Sequence, residues 1–152
     1  RLREARQTLN GYLLDTNIIS ELIKPRPEPK VSRWVDSVEE ATLWLSVLTL
    51  GEIEKGIAAL PHAPKRQRLR LWLESELVPR FEGRILPIDG AVARKWGRLT
   101  GALEVRSKAG LTVVDGLLAA TGLVHDLVLV TRNSKHVAAT GVEVFNPWEA
   151  DL

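Results

Sequence analysis

Residues 11–22 read GYLLDTNIISEL, and this stretch decides the class of fold. Gly11 opens a short apolar run, Tyr12-Leu13-Leu14, of the kind that forms a strand buried on both faces of a parallel sheet. Asp15 closes the run, and Thr16-Asn17 starts a helix that reaches about Leu22. Prolines at 25, 27 and 29 then end it, because proline has no amide hydrogen to donate inside a helix. A strand passing straight into a helix is the opening of a βαβ unit. In open α/β sheets ligands bind outside the carboxyl ends of the strands, so Asp15 stands where a ligand would be met. Aspartate is also favoured in turns and at helix caps. Position alone leaves both roles open.

The rest of the chain repeats the alternation. Val31, Trp34, Val35 and Val38 recur at i, i+3, i+4 and i+7 and predict a helix over 31–38. An apolar strand over 42–47 leads to a helix whose apolar face is Leu50, Ile53, Ile57 and Leu60, punctuated by Pro61 and Pro64. The basic run Lys65-Arg66-Gln67-Arg68-Leu69-Arg70 opens a helix to about Leu77. A strand over 84–88, a helix over 92–103, a long apolar helix over 111–125 and strands over 127–131 and 142–145 complete the pattern. This order predicts an α/β domain with a largely parallel sheet. Residues 1–11 read as a loose arm or the remnant of a tag, leaving one domain over 12–150. Methionine is absent, so Arg1 reads as something other than a translation start.

Composition narrows the chemistry. The chain has 152 residues, enough for one core, and 45% are hydrophobic, which excludes intrinsic disorder. Cysteine is absent, and with it go disulfides, thiolate nucleophiles, iron–sulfur clusters and cysteine-ligated zinc. Lys+Arg 21 against Asp+Glu 19 leaves a net charge of +2, which permits a nucleic-acid partner without requiring one. The most apolar stretch, 111–130, is interrupted by Asp115, His125 and Asp126, so no membrane helix is expected. Residues 1–10 lack the apolar core of a signal peptide. The chain therefore reads as cytoplasmic and prokaryotic.

Two further acids deserve comparison with Asp15. Glu52 follows Thr49 by three residues, the spacing of a capping box. A carboxylate in the first turn of that helix also faces the mouth at the strand ends, so the readings coexist. Asp115 follows Thr112 at the same cap-like spacing and precedes Gly116-Leu117-Leu118-Ala119-Ala120-Thr121, a run small and apolar enough to be buried on most sides. A carboxylate there calls for a cation or for the helix N-terminus itself. Glu39, Glu40, Glu74, Glu76 and Glu143 read as surface, and Asp89 as a helix cap. Three carboxylates at strand ends, without histidine or cysteine nearby, suit a hard cation such as Mg²⁺ or Mn²⁺. Such a site promotes phosphodiester hydrolysis by lowering the pKa of bound water. Phosphate-cradling and nucleophile-elbow motifs are absent, and His62, His125 and His136 lack metal-binding spacing. The five tryptophans read as packing residues. Lys65, Arg66, Arg68 and Arg70 read as a solvated helix face or as phosphate contacts.

Five stretches in order, LLDTNIISEL (13–22), SVLTLGEIEKGI (46–57), GRILPIDGAVARKWG (83–97), TVVDGLLAATGLVHDLVLVTRN (112–133) and VEVFNPW (142–148), resemble the PIN-domain ribonuclease toxins of prokaryotic toxin–antitoxin pairs, the VapC group and especially its FitB-like branch. The resemblance implies a three-layer α/β/α fold with a short, mainly parallel sheet. It implies an endonuclease dependent on Mg²⁺ or Mn²⁺ and acting on RNA, with Asp15, Glu52 and Asp115 as its metal-binding acids. Thr16 and Asn17 match the residues that orient the first aspartate, and Thr131, a supporting residue, and Arg132, an RNA contact, precede the position of a fourth acid. Here that position is Asn133, which can bind water or phosphate but adds no negative charge. The resemblance further implies a homodimer and a cognate antitoxin that lays a helix or tail on the toxin and inserts an arginine near the acids. Operator DNA would be met only through that antitoxin. Two other readings compete. A PIN fold that has lost turnover and acts within a repressor complex would be consistent with Asn133. A phosphoacceptor receiver domain also sets acids at strand ends, but Asp15 has no acidic neighbour and no lysine follows the late strand.

Overall fold

The computed structural model describes residues 10–102 and 111–150. Five parallel strands form one sheet: β1 Gly11–Leu14, β2 Leu43–Ser46, β3 Ile85–Leu86, β4 Leu127–Val130 and β5 Val144–Phe145, in the order β3-β2-β1-β4-β5. The order reverses at β1, which pairs with β4 along its whole length, Gly11 opposite Leu127 and Leu14 opposite Val130. Neighbouring strands whose connections leave in opposite directions open a crevice at their carboxyl ends. Asp15 and Thr131 are the first residues beyond β1 and β4, so both stand in that crevice.

Helices cover both faces. α1 Thr16–Leu22, α2 Pro29–Ser37, α3 Val47–Ala58 and α4 Ala63–Trp72 lie before β3; α5 Gly90–Gly101, α6 Val113–His125 and the short α7 Ser134–Val137 follow it. The strand pleat assigns the layers, since successive side chains point to opposite faces. Leu14 packs with Ile18, Val31, Trp34, Leu43, Ile57 and Phe81. Leu13 packs on the other side with Leu118, Ala119, Leu129 and Val142. The expected three-layer α/β/α architecture is thus present, with one core on each side of the sheet. Among the described residues, no helix is long and apolar enough to cross a membrane.

The strands are shorter than the apolar runs suggested, β3 and β5 being two residues each. α4 runs on through a π-helical turn, Leu73–Leu77, into a last α-turn at Val78–Arg80. Pro79 accounts for the wide turn: it cannot donate to the Ser75 carbonyl and its ring crowds that carbonyl. The last two residues of the arm expected over 1–11 belong to the fold. Asn10 donates its backbone N–H to the Asp126 carbonyl at 2.7 Å and its amide to the His125 carbonyl at 2.9 Å, and Gly11 begins β1. The rest of that arm, 1–9, and part of the segment between α5 and α6 lie outside the described residues.

Helix starts follow local chemistry with one correction. Asp15 caps α1, Asp89 caps α5 and Thr112 caps α6 by accepting from the Asp115 N–H at 3.1 Å. The capping box expected at Thr49 and Glu52 does not form. β2 ends in Ser46, whose hydroxyl accepts from the Leu48 N–H at 3.0 Å, so α3 starts three residues early. Thr49 is fully buried within the first turn, and Glu52 sits in the second.

Candidate active site

Asp15, Glu52 and Asp115 line one cavity of about 400 Å³ at the carboxyl edge of the sheet. They arrive by separate routes, from the end of β1, the second turn of α3 and the first turn of α6. Thr16, Asn17, Arg132 and Asn133 complete the set of expected residues on its wall. Thr131 is fully buried behind Asp15.

Asp15 is the most constrained of the acids. Its Oδ1 accepts from the Thr16 N–H at 2.7 Å, and its Oδ2 accepts from the Thr131 hydroxyl at 2.7 Å. The Thr131 hydroxyl oxygen in turn accepts from the Asn133 N–H at 3.0 Å. Asn17 spans the same corner, its amide 3.4 Å from Thr131 Oγ1 and its carbonyl oxygen accepting from the Arg132 N–H at 3.4 Å. The Thr16 hydroxyl donates to Glu52 Oε1. Burial, reinforced by the negative charges of Asp115 and Glu52, pushes the Asp15 pKa above its ordinary value, and the bonds from Thr131 and Thr16 only partly offset this.

The donor chemistry suits a hard cation. These are oxygen donors, a buried Asp15 with the half-buried Glu52 and Asp115, whose negative charges act on Asp15, and no cationic side chain bonds any of the three among the described residues. The three share a cavity without being drawn together: no group of three acids or histidines among the described residues has the spacing to grip an ion as the side chains stand.

Four residues on the cavity wall were not singled out from the sequence: Ser20, Glu21, Lys24 and Trp148. A signal existed for three of them. Asn17, Ser20, Glu21 and Lys24 recur at i, i+3, i+4 and i+7, a polar stripe along α1 and just beyond. Glu21 is buried, with Lys24 Nζ 2.9 Å from its Oε1 and the Glu28 N–H donating to its Oε2 at 2.9 Å. Those bonds hold the Glu21 carboxyl below its ordinary range, the Lys24 contact foremost. With both oxygens engaged, Glu21 braces the loop after α1.

The basic run divides. Lys65, Arg66 and Arg68 do not line the acidic cavity. Arg66 donates to the Leu60 carbonyl at 2.6 Å, closing the end of α3. Lys65 borders an adjoining apolar groove that shares Thr16, Ser20 and Glu52 with the cavity. Arg68 is exposed.

The chain is also similar to known proteins in sequence and in fold. The PIN domain family pattern matches residues 12–141. The chain is 36% identical to the VapC ribonuclease Y4jK of Sinorhizobium fredii over 137 residues, covering 90% of this chain and 97% of that one. It is 38% identical to toxin FitB of Neisseria gonorrhoeae over 136 residues, covering 90% and 97%. The crystal structure of FitAcB from Neisseria gonorrhoeae superposes with a TM-score of 0.86 at 37% identity, over 91% of this chain and 99% of that one. From its five parallel strands to the acids at their carboxyl edge, the chain belongs to the PIN-domain family, alongside relatives named as VapC ribonucleases and as the FitB toxin.

Proposed function

We propose that this protein is a metal-dependent endoribonuclease and the toxin of a toxin–antitoxin pair. The observation that carries the reading is the convergence of Asp15, Glu52 and Asp115, from three distant stretches, on one cavity. In this reading those three carboxylates hold a divalent cation, Mg²⁺ or Mn²⁺. When bound, such a cation neutralises charge on the scissile phosphate and makes water a better nucleophile at neutral pH.

The surrounding residues prepare the acids. Thr131 and the Thr16 N–H fix the Asp15 carboxylate and favour its ionised form, while the Thr16 hydroxyl orients Glu52. Asn17 braces Thr131 and the backbone of Arg132. Asn133 offers a neutral amide at the rim, able to orient water or a phosphate oxygen. Arg132 and Lys24 bring positive charge to the cavity lining, where RNA phosphates would be held, and Lys65 and Arg68 extend it beyond the cavity. Affinity held this way falls as salt rises.

The partners follow from the same reading. The cognate antitoxin would present an arginine to the carboxylates, where a guanidinium satisfies them bidentately and replaces the cation's charge. Contact with operator DNA would come through that antitoxin, a reading supported by the FitAB complex bound to a DNA fragment, 34% identical, and the complex would be built on a homodimer of this chain. The compartment is the cytoplasm of a prokaryote. A second reading, a PIN fold retained as a binding module in a repressor complex, draws only on the missing charge at Asn133.

The test is incubation of the purified protein with total RNA in Mg²⁺, Mn²⁺ or EDTA, beside Asp15→Asn and Asp115→Asn. Cleavage is expected with either cation, is abolished by EDTA, and drops at least about 100-fold in each variant. A chain that binds antitoxin and operator yet leaves RNA whole is the binding module. Undiminished cation-dependent cleavage by both variants overturns the assignment of the acids.

A further inference from the structure

One wall of the cavity is built with more care than charge alone requires. Arg132 leaves the end of β4 and lays its guanidinium over the indole of Trp148, 4.8 Å from the ring centroid. Trp148 sits in a 3-10 turn, Pro147–Glu149, packed against the sheet's first core. Both backbones are pinned by one side chain. Asn146 accepts from the Trp148 N–H at 2.9 Å and donates to the Arg132 carbonyl at 3.5 Å. Asn17 holds the Arg132 N–H from the other side. Arg132 is exposed and, among the described residues, forms no ion pair. A guanidinium needed only as charge would gain nothing from an indole beneath it. A guanidinium seated over an indole is a delocalised plane backed by an aromatic ring, and such planes stack on unpaired nucleobases.

We propose that Arg132, supported by Trp148, is a stacking shelf for one unpaired nucleobase beside the scissile phosphate. This rests on the ribonuclease reading and assigns a base subsite to its cavity. A base inside a duplex is already stacked on both sides and has no face to offer. Every base has a π-face, so the shelf accepts any of the four bases once unpaired. Lys24, on the same cavity wall, would meet the adjoining phosphate once drawn from Glu21.

The experiment maps the cleaved bond on an unstructured RNA oligonucleotide, then places a single abasic residue at each of the two nucleotides on either side. For the wild type, one abasic position should raise KM by about tenfold, within the range that a lost base stack produces. Annealing the complement should slow cleavage at least as much. Arg132→Lys keeps the charge and loses the plane. It should bind intact RNA about tenfold more weakly and lose all sensitivity to the abasic position. Trp148→Leu should shift both in the same direction. A merely structural role would lower activity while leaving the abasic effect in place. That outcome, or duplex RNA cleaved as fast as single strand, overturns the shelf. If the wild type cleaves no RNA, the ribonuclease reading fails separately. The same abasic scan, read as fluorescence anisotropy of labelled oligonucleotides, then tests the shelf alone: equal binding of intact and abasic strands removes it.

Discussion

Asp15 does three jobs with one carboxylate: it caps α1, accepts from Thr131, and carries charge into the cavity. Because burial and neighbouring acids raise its pKa, the folded protein without a cation binds a proton more readily than the unfolded chain. Its contribution to stability is therefore greatest below the ordinary aspartate range and is lost as pH rises through the raised value. Asp15→Asn should accordingly melt higher than the wild type at neutral pH in EDTA and show no advantage near pH 3. A lower neutral Tm for the variant, by calorimetry, would contradict this. Thr131 stands behind it, fully buried. Thr131→Val removes a donor to Asp15 and an acceptor for the Asn133 N–H, and should cost about 1–3 kcal/mol in denaturant titration. Cleavage should fall with it, since the carboxylate then loses its fixed orientation.

At the scale of elements, the join between α4, β2 and β3 depends on Arg84. Its guanidinium donates to the carbonyls of Glu40, Leu43 and Arg80 at 2.7, 2.6 and 2.5 Å and lies over the Phe81 ring. Arg84→Met should cost about 2–3 kcal/mol by leaving those carbonyls without their charged donor. Glu40→Gln should cost less than about 1 kcal/mol, because its pairs with Arg80 and Arg84 are partly solvated. The Arg80 hydrogen bond foremost holds the Glu40 carboxyl below its ordinary range. Its contribution is thus present above the ordinary glutamate pKa and lost as pH falls through the lowered value, so denaturant titrations of the two proteins should converge in acid. The elements also show what a sequence can reveal. Asp89 and Thr112 were legible as caps because capping is local. Ser46 was hidden because Thr49 and Glu52 imitate a capping box, and only the end of β2 decides where α3 starts. Arg66 looked free because its acceptor, the Leu60 carbonyl, belongs to the preceding helix's end. Gly11 was unreadable: at φ +149°, a Cβ there would lie 2.5 Å from the Thr42 carbonyl oxygen across the sheet. Gly11→Ala should cost about 2 kcal/mol or more.

For the whole molecule, topology does the work of assembly. The reversal of strand order at β1 opens the crevice, and three chain segments deliver their acids to it. The aspartates were legible because the carboxyl end of a strand and the start of a buried helix are both visible as sequence patterns. Lys24 and Trp148 were not, because their part depends on which segments share a wall. The near-neutral net charge also concealed the local concentration of charge, three carboxylates lining one cavity with the cations of Arg132 and Lys24. The central claim is that the three carboxylates serve one cation together. Calorimetric titration of Mn²⁺ into the wild type, Asp15→Asn, Glu52→Gln and Asp115→Asn tests it most directly. One saturable site should appear in the wild type, weakened at least about tenfold in every variant, since each removes a negative oxygen ligand. Undiminished affinity in all three variants would contradict the account.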